Sequence, residues 1–69
     1  MNVTDDRGFT PLHLASERGH QNVVRLLVEY GADLEQRDSK GLTALNHASI
    51  EGREAAVKLL LEMGADVLG

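Results

Sequence analysis

Shifting the chain by 33 residues brings 36 positions into register, and fourteen of them are identical: Asp5, Gly8, Thr10, Leu12, Ala15, Ser16, Gly19, Val24, Leu26, Leu27, Glu29, Gly31, Ala32 and Asp33 each meet their own residue type again. Average residue usage would give roughly two or three such matches. Six of the seven glycines fall into pairs at this one offset, Gly8 with Gly41, Gly19 with Gly52 and Gly31 with Gly64. A period of this length is the mark of a stacked-repeat architecture, in which one supersecondary unit recurs and buries its apolar side against the next. The chain of 69 residues is therefore two copies of one short unit rather than one irregular domain.

Each unit reads as two short helices and a turn. Thr10 is suited to cap a helix by accepting a backbone N–H, and Pro11 then stands at the first helical position, where its missing N–H costs nothing. This helix runs from about Pro11 to Gly19, which supplies the left-handed conformation of a helix end. A second helix is expected from about Asn22 to Tyr30, with Val23, Leu26, Leu27 and Tyr30 at i, i+3, i+4, i+7 as its apolar face, widened by Val24 and Val28. The second unit repeats the pattern with Ala56, Leu59, Leu60 and Met63, widened by Val57 and Leu61. Between the units, residues Ala32 to Gly41 carry the Asp, Ser and Gly of an extended loop ending in a tight turn. Helices of eight or nine residues do not hold together alone in water, so each pair must be buried by its neighbour.

Asp5-x-x-Gly8-x-Thr10-Pro11-Leu12-His13-Leu14-Ala15, Gly19-His20, Val23-Val24-x-Leu26-Leu27 and Gly31-Ala32-Asp33 together resemble the ankyrin repeat, whose period and Thr-Pro-Leu-His signature they match. The second unit matches through Asp38, Gly41, Thr43-Ala44-Leu45, Ala48, Gly52, Val57, Leu59-Leu60 and Gly64-Ala65-Asp66. The resemblance implies an all-α solenoid, one domain over 1–69, with a first repeat at about 5–37, a second at about 38–69, and residues 1–4 as the tail of a preceding repeat. It also implies that His13 ties neighbouring loops by hydrogen bonds. The second unit departs from the motif where Ala44 replaces Pro11, Asn46 replaces His13 and His47 replaces Leu14. Asn46 inherits the histidine's role only in part, and His47 in an apolar position suggests a face not fully covered, as on the outer side of a terminal repeat.

Composition narrows the functional classes. There is no cysteine, which excludes a disulfide framework and a Cys-based zinc site. The net charge of −4 argues against a nucleic-acid or anionic-membrane surface, and no apolar run exceeds three residues. No charged-then-apolar leader opens the chain, so an intracellular location, cytoplasmic or nuclear, is expected. The Asn2-Val3-Thr4 glycosylation pattern is then accidental. No phosphate loop, nucleophile elbow or His-Glu-x-x-His pair is present. His13, His20 and His47 lack the spacing of a metal site, and Ser16 and Ser49 lack a partnered base. Glu29, Glu62, Asp33 and Asp66 recur once per repeat, as scaffold residues do. No cofactor and no catalysis are expected.

What remains is surface. Partners of the ankyrin family are usually held along the concave side, by loop tips and the first helix of each repeat. Carried over by position, the tips are Asp6, Arg7 and Phe9 in the first unit and Ser39, Lys40 and Leu42 in the second, with Arg37 just before the second tip. The helix positions are Glu17 and Arg18, then Ile50 and Glu51. Nearly all are positions where the two units differ. Phe9, Leu42 and Ile50 read as a small apolar anchor set with a charged rim; alternatively, Phe9 and Leu42 fold over their own helices and seal the loop.

The leading expectation is a non-catalytic protein-binding module with a protein partner. The alternatives are a structural unit that stacks end to end on itself through uncapped repeat ends, and a piece, excised or engineered, of a longer array.

Overall fold

The computed structural model describes residues 8–65. These form four helices: α1 (Pro11–Arg18), α2 (Gln21–Glu29), α3 (Ala44–Ile50) and α4 (Glu54–Glu62). Among the described residues there is no strand. Asp6, Arg7, Asp5, the Asn2-Val3-Thr4 pattern, the tail 1–4 and Asp66 lie outside them.

The two units begin in the same way. Thr10 Oγ1 accepts from His13 N (3.2 Å) while Thr10 N donates to His13 Nδ1 (3.0 Å). In the second unit Thr43 Oγ1 accepts from Asn46 N (3.2 Å) and Thr43 N donates to Asn46 Oδ1 (2.9 Å). Each reciprocal pair satisfies two backbone donors that a helix start would otherwise leave bare. Gly19, at φ +74°, ends α1 in the left-handed conformation, and His20 N donates back to Ala15 O (2.9 Å). The chain then turns directly into α2.

Within a unit the two helices pack on each other, and between units α3 lies on α1 and α4 on α2. The core runs through this junction: Leu12, Ala15 and Val24 from the first unit meet Ala44, Leu45, Ala48, Ala56, Leu59 and Leu60 from the second. The small residues Ala15 on α1 and Ala44 and Ala48 on α3 are buried in this core.

The apolar face expected on α2 is corrected by the structure. Val24 is fully buried and Leu27 and Val28 partly so, but Val23, Leu26 and Tyr30 are exposed. In α4 the equivalent Ala56 and Leu59 are buried and Met63 partly so. The stripe is the same in both helices. What differs is that α4 has α2 on that side, whereas α2 has no helix there among the described residues. Leu12, Val24, Leu45 and Leu60 are all buried in this core.

Candidate protein-binding surface

The tip of the second unit is a turn built on one aspartate. Gly41 N donates to Asp38 O (2.9 Å) and Asp38 N to Leu42 O (3.0 Å). The Asp38 side chain closes the same turn from inside, Oδ1 accepting from Lys40 N (2.9 Å) and Leu42 N (3.0 Å). Arg37 braces it outside through Nη1 to Gly41 O (2.8 Å). An aspartate followed by Ser, Lys and Gly does this because its short carboxylate reaches backbone donors two and four residues on.

Two histidines tie this tip to the helices. His13 Nε2 donates to Leu42 O (3.0 Å), across 29 residues, so the first unit holds the second unit's loop. Because Thr10 N already donates to Nδ1, the ring carries its proton on Nε2. Burial pushes the His13 imidazole below its ordinary value, against the opposing pull of the Leu42 carbonyl. His47 Nε2 donates to Asp38 Oδ2 at 2.7 Å, and its Nδ1 lies 3.8 Å from Glu17 Oε2 on α1. Burial of Asp38 pushes its carboxyl up, but the Leu42 N–H, His47 and the Lys40 N–H outweigh that and hold it at about 2. His47 therefore faces the first unit, not an outer side. It occupies an apolar position because a carboxylate from the tip and another from α1 reach it there. Asn46 makes only the near half of the bonds that His13 makes.

Phe9 sits inside this arrangement. It is only 8% exposed. Its ring stacks on His13 (centroids 5.2 Å apart, 24° between planes) and meets His47 edge-on (4.9 Å, 84°). Phe9 is thus not an exposed anchor: it seals the loop, because the two imidazoles offer it a flat face and an edge. Leu42 is half-buried beside Thr43, with its backbone taken by His13 and Asp38.

The other candidates divide by exposure. Arg18, Arg37, Ser39, Lys40, Ile50 and Glu51 are exposed, and Glu17 is half-buried. Phe9, Glu17, Asp38, Ser39, Lys40 and His47 line one cleft of about 130 Å³. The structure thus brings Glu17, Ser39 and Lys40 together over a floor of Phe9, Asp38 and His47. Arg18, Ile50 and Glu51 do not line this cleft; they stand at the ends of α1 and α3. Sequence reasoning missed Asp38 and His47 as parts of the surface. The signal was there in the coincidence of a polar residue at His47 with an aspartate, repeated in both units, nine positions earlier.

Among the described residues, no group of three or more histidines and carboxylates is placed to hold a metal ion. None of their helices is long and apolar enough to cross a membrane.

The sequence model "Ankyrin repeats (3 copies)" matches residues 1–68. An ankyrin repeat-containing protein of Schizosaccharomyces pombe is 43% identical over 37 residues, which is 54% of this chain and 18% of that protein. Ankyrin repeat domain-containing protein 63 of Homo sapiens is 50% identical over 38 residues, 55% of this chain and 10% of its own length. The 26S proteasome non-ATPase regulatory subunit 10 of Dictyostelium discoideum is 53% identical over 32 residues, 46% of this chain and 14% of its own. The chain thus spans less than a fifth of each of these relatives. Ankyrin repeats are in general protein–protein interaction modules, and the family is typically non-enzymatic. With the family's sequence model spanning residues 1–68 and the helix pairs of the two units packed on one another, the chain belongs to the ankyrin repeat family.

Proposed function

We infer that this chain is a non-catalytic binding module that takes a protein partner across the second tip and the adjoining ends of α1 and α3. The observation carrying this reading is the cleft between the tip and α1. Its floor is held by the Asp38–His47 and His13–Leu42 hydrogen bonds, while the exposed Ser39 and Lys40 side chains stand at its rim beside Glu17. A rigid floor lowers the ordering cost of binding, and a polar rim, with Ile50 exposed at the end of α3, has the make-up of a recognition surface. The rim residues Glu17, Ser39 and Lys40 all differ from their repeat counterparts Ile50, Asp6 and Arg7, which fits a surface set separately from the repeated fold.

The test is capture of partner proteins on the immobilised chain, beside a variant carrying Lys40→Glu and Ile50→Asp. Any protein retained by the parent is then titrated calorimetrically against both. The reading expects affinity for the variant to fall at least tenfold with helicity unchanged. Equal affinity for both would remove this surface from the binding reaction.

A further inference from the structure

His47 stands between two carboxylates that come from different parts of the fold. The tip supplies Asp38, whose Oδ2 accepts from His47 Nε2 at 2.7 Å, and α1 supplies Glu17, whose Oε2 lies 3.8 Å from Nδ1. The two sides are not equivalent. Asp38 is buried and held as a carboxylate, so the hydrogen between it and the ring belongs to Nε2. In the neutral ring Nδ1 is then a bare lone pair, and Glu17 Oε2 is also an acceptor. At 3.8 Å they make no hydrogen bond, and neither has a donor to offer the other. Both groups line the same cleft of about 130 Å³.

One proton at Nδ1 changes this relationship. The ring becomes a cation with an anion on either side, and Nδ1–H becomes a donor for Glu17. A charge-assisted N–H···O bond runs to about 2.7–2.9 Å, which leaves a gap of about 1 Å to close. The carboxylate is the partner with room to move: the Glu17 side chain is 35% exposed, against 13% for His47. Its backbone stays in place, because Arg53 Nε donates to Glu17 O (3.1 Å). Three other titratable or charged groups face this pair among the described residues. His13 of α1 meets the ring at 5.5 Å between centroids, and burial keeps its imidazole neutral further down in pH than an ordinary one. Lys40 of the tip and Arg53 at the head of α4 oppose an added positive charge, but from exposed positions where water and salt screen them. The two carboxylates favour it at close range.

We propose that His47 is a proton-operated latch on this cleft, drawing the Glu17 carboxylate onto Nδ1 when protonated and releasing it when neutral. Closed, the latch fastens α1 to the tip through one imidazolium. It also takes Glu17 away from the rim as a free acceptor and cancels one negative charge of the cleft lining. Imidazole is the side chain that ordinarily changes charge between pH 5 and 8, which is the range to search. Leu14, the counterpart of His47 in the first unit, has nothing to protonate, so the device belongs to this junction and not to the repeat. That the latch regulates binding rests on the reading of the cleft given above; the latch itself is a property of the chain alone.

NMR of the full chain from pH 8 to pH 5, with no partner present, tests it. His47 Nε2 should carry its hydrogen throughout, while the Nδ1 resonance passes from acceptor type to N–H type. Over the same pH interval, the nuclear Overhauser contacts between the Glu17 side chain and the His47 ring should strengthen. Glu17→Gln, with helices checked by circular dichroism, should move the His47 titration to lower pH by at least about half a unit, since it removes a nearby anion. Three results overturn the latch: a ring that keeps one form across the range, a ring that titrates with the Glu17 contacts unchanged, or a titration that Glu17→Gln leaves where it was. Any of these, beside a partner whose affinity falls in the Lys40→Glu, Ile50→Asp variant, would remove the latch and leave the binding surface standing. A working latch beside equal affinities would do the reverse.

Discussion

His47 Nε2 stands 2.7 Å from Asp38 Oδ2, and this one hydrogen bond joins the tip of the second unit to the first helix behind it. The Asp38 side chain is only 4% exposed, so its charge is borne by that imidazole and by two backbone N–H groups rather than by water. A carboxylate held at about 2, against an ordinary 3.8, binds its proton more weakly in the folded chain than in the unfolded one. Its contribution is therefore complete above pH 3.8 and is lost as pH falls through that value towards 2. The size of the shift corresponds to stabilisation on the order of 2 kcal/mol. Replacing Asp38 with Asn should lower stability near neutrality by about that much, because an amide N–H₂ would face the His47 donor. It should also flatten the acid limb. Urea unfolding followed by circular dichroism from pH 7 to pH 2 reads both effects, and an unchanged acid limb in the variant would show that Asp38 is not the group responsible.

His13 gives a second, separate step at higher pH. Its imidazole is held below the ordinary 6.5 by burial, so the unfolded chain takes up the proton first. The sign follows: stability is complete above pH 6.5 and declines as pH falls below it, until the folded ring also protonates. Protonation at Nδ1 ends its acceptance of the Thr10 N–H, which then lies buried beside a charge. His13→Gln should cost about 2 kcal/mol at pH 7.5 through the lost bonds to Leu42 and Thr10. The upper step should vanish from its stability–pH curve while the lower one, due to Asp38, persists. Persistence of both steps would assign the upper one to another group.

How much of this was legible beforehand depends on whether a feature is local to a unit or set between units. Thr10, Pro11 and Gly19 act within a few residues of themselves, so the helix starts and stops follow from their chemistry. The direction in which units stack does not. Val23, Leu26 and Tyr30 have the same periodicity as Ala56, Leu59 and Met63, and only the position of the neighbour decides that one stripe is covered and the other bare. His47 shows the same limit. Read alone, a polar residue in an apolar slot means exposure. With Asp38 and Glu17 brought to it by the turn and by α1, it means a buried polar junction. Phe9 was readable either as an anchor or as a seal, and two histidines contributed by different units decide for the seal.

Ser16 tests the packing of the junction directly. It is fully buried, and its Oγ has no hydrogen-bond partner, whereas the equivalent Ser49 is exposed. A buried hydroxyl without a partner is destabilising, and alanine is the better helix former. Ser16→Ala should therefore stabilise the chain by about 1 kcal/mol, and Ser49→Ala by only a few tenths from propensity. Ser16→Leu should do the opposite, overfilling the close approach of α1 and α3 at a cost of about 2 kcal/mol. Urea midpoints of the three variants decide the matter. A loss of stability in Ser16→Ala would mean that the hydroxyl bonds a helix carbonyl after all.

The last test separates conformational strain from contact at the loop tips. Gly8 and Gly41 are repeat equivalents with nearly the same backbone, φ +71° and +77°. An alanine at either pays for the left-handed conformation, about 1 kcal/mol. Only at Gly8 does the new Cβ meet the next tip, at 3.2 Å from Ser39 N and 3.4 Å from the Asp38 Cα; at Gly41 nothing stands within 4 Å. Those neighbours are backbone of the turn that Asp38 locks from inside, so they yield less readily than a side chain. Gly41→Ala should cost about 1 kcal/mol and Gly8→Ala about 2 to 3. Gly8→Ala should also shift the amide resonances of Ser39 and Lys40, which Gly41→Ala would change only locally. Equal costs, with unshifted Ser39 and Lys40 signals, would mean that the two tips are not pressed together, and that the floor of the binding cleft owes its rigidity to the histidines alone.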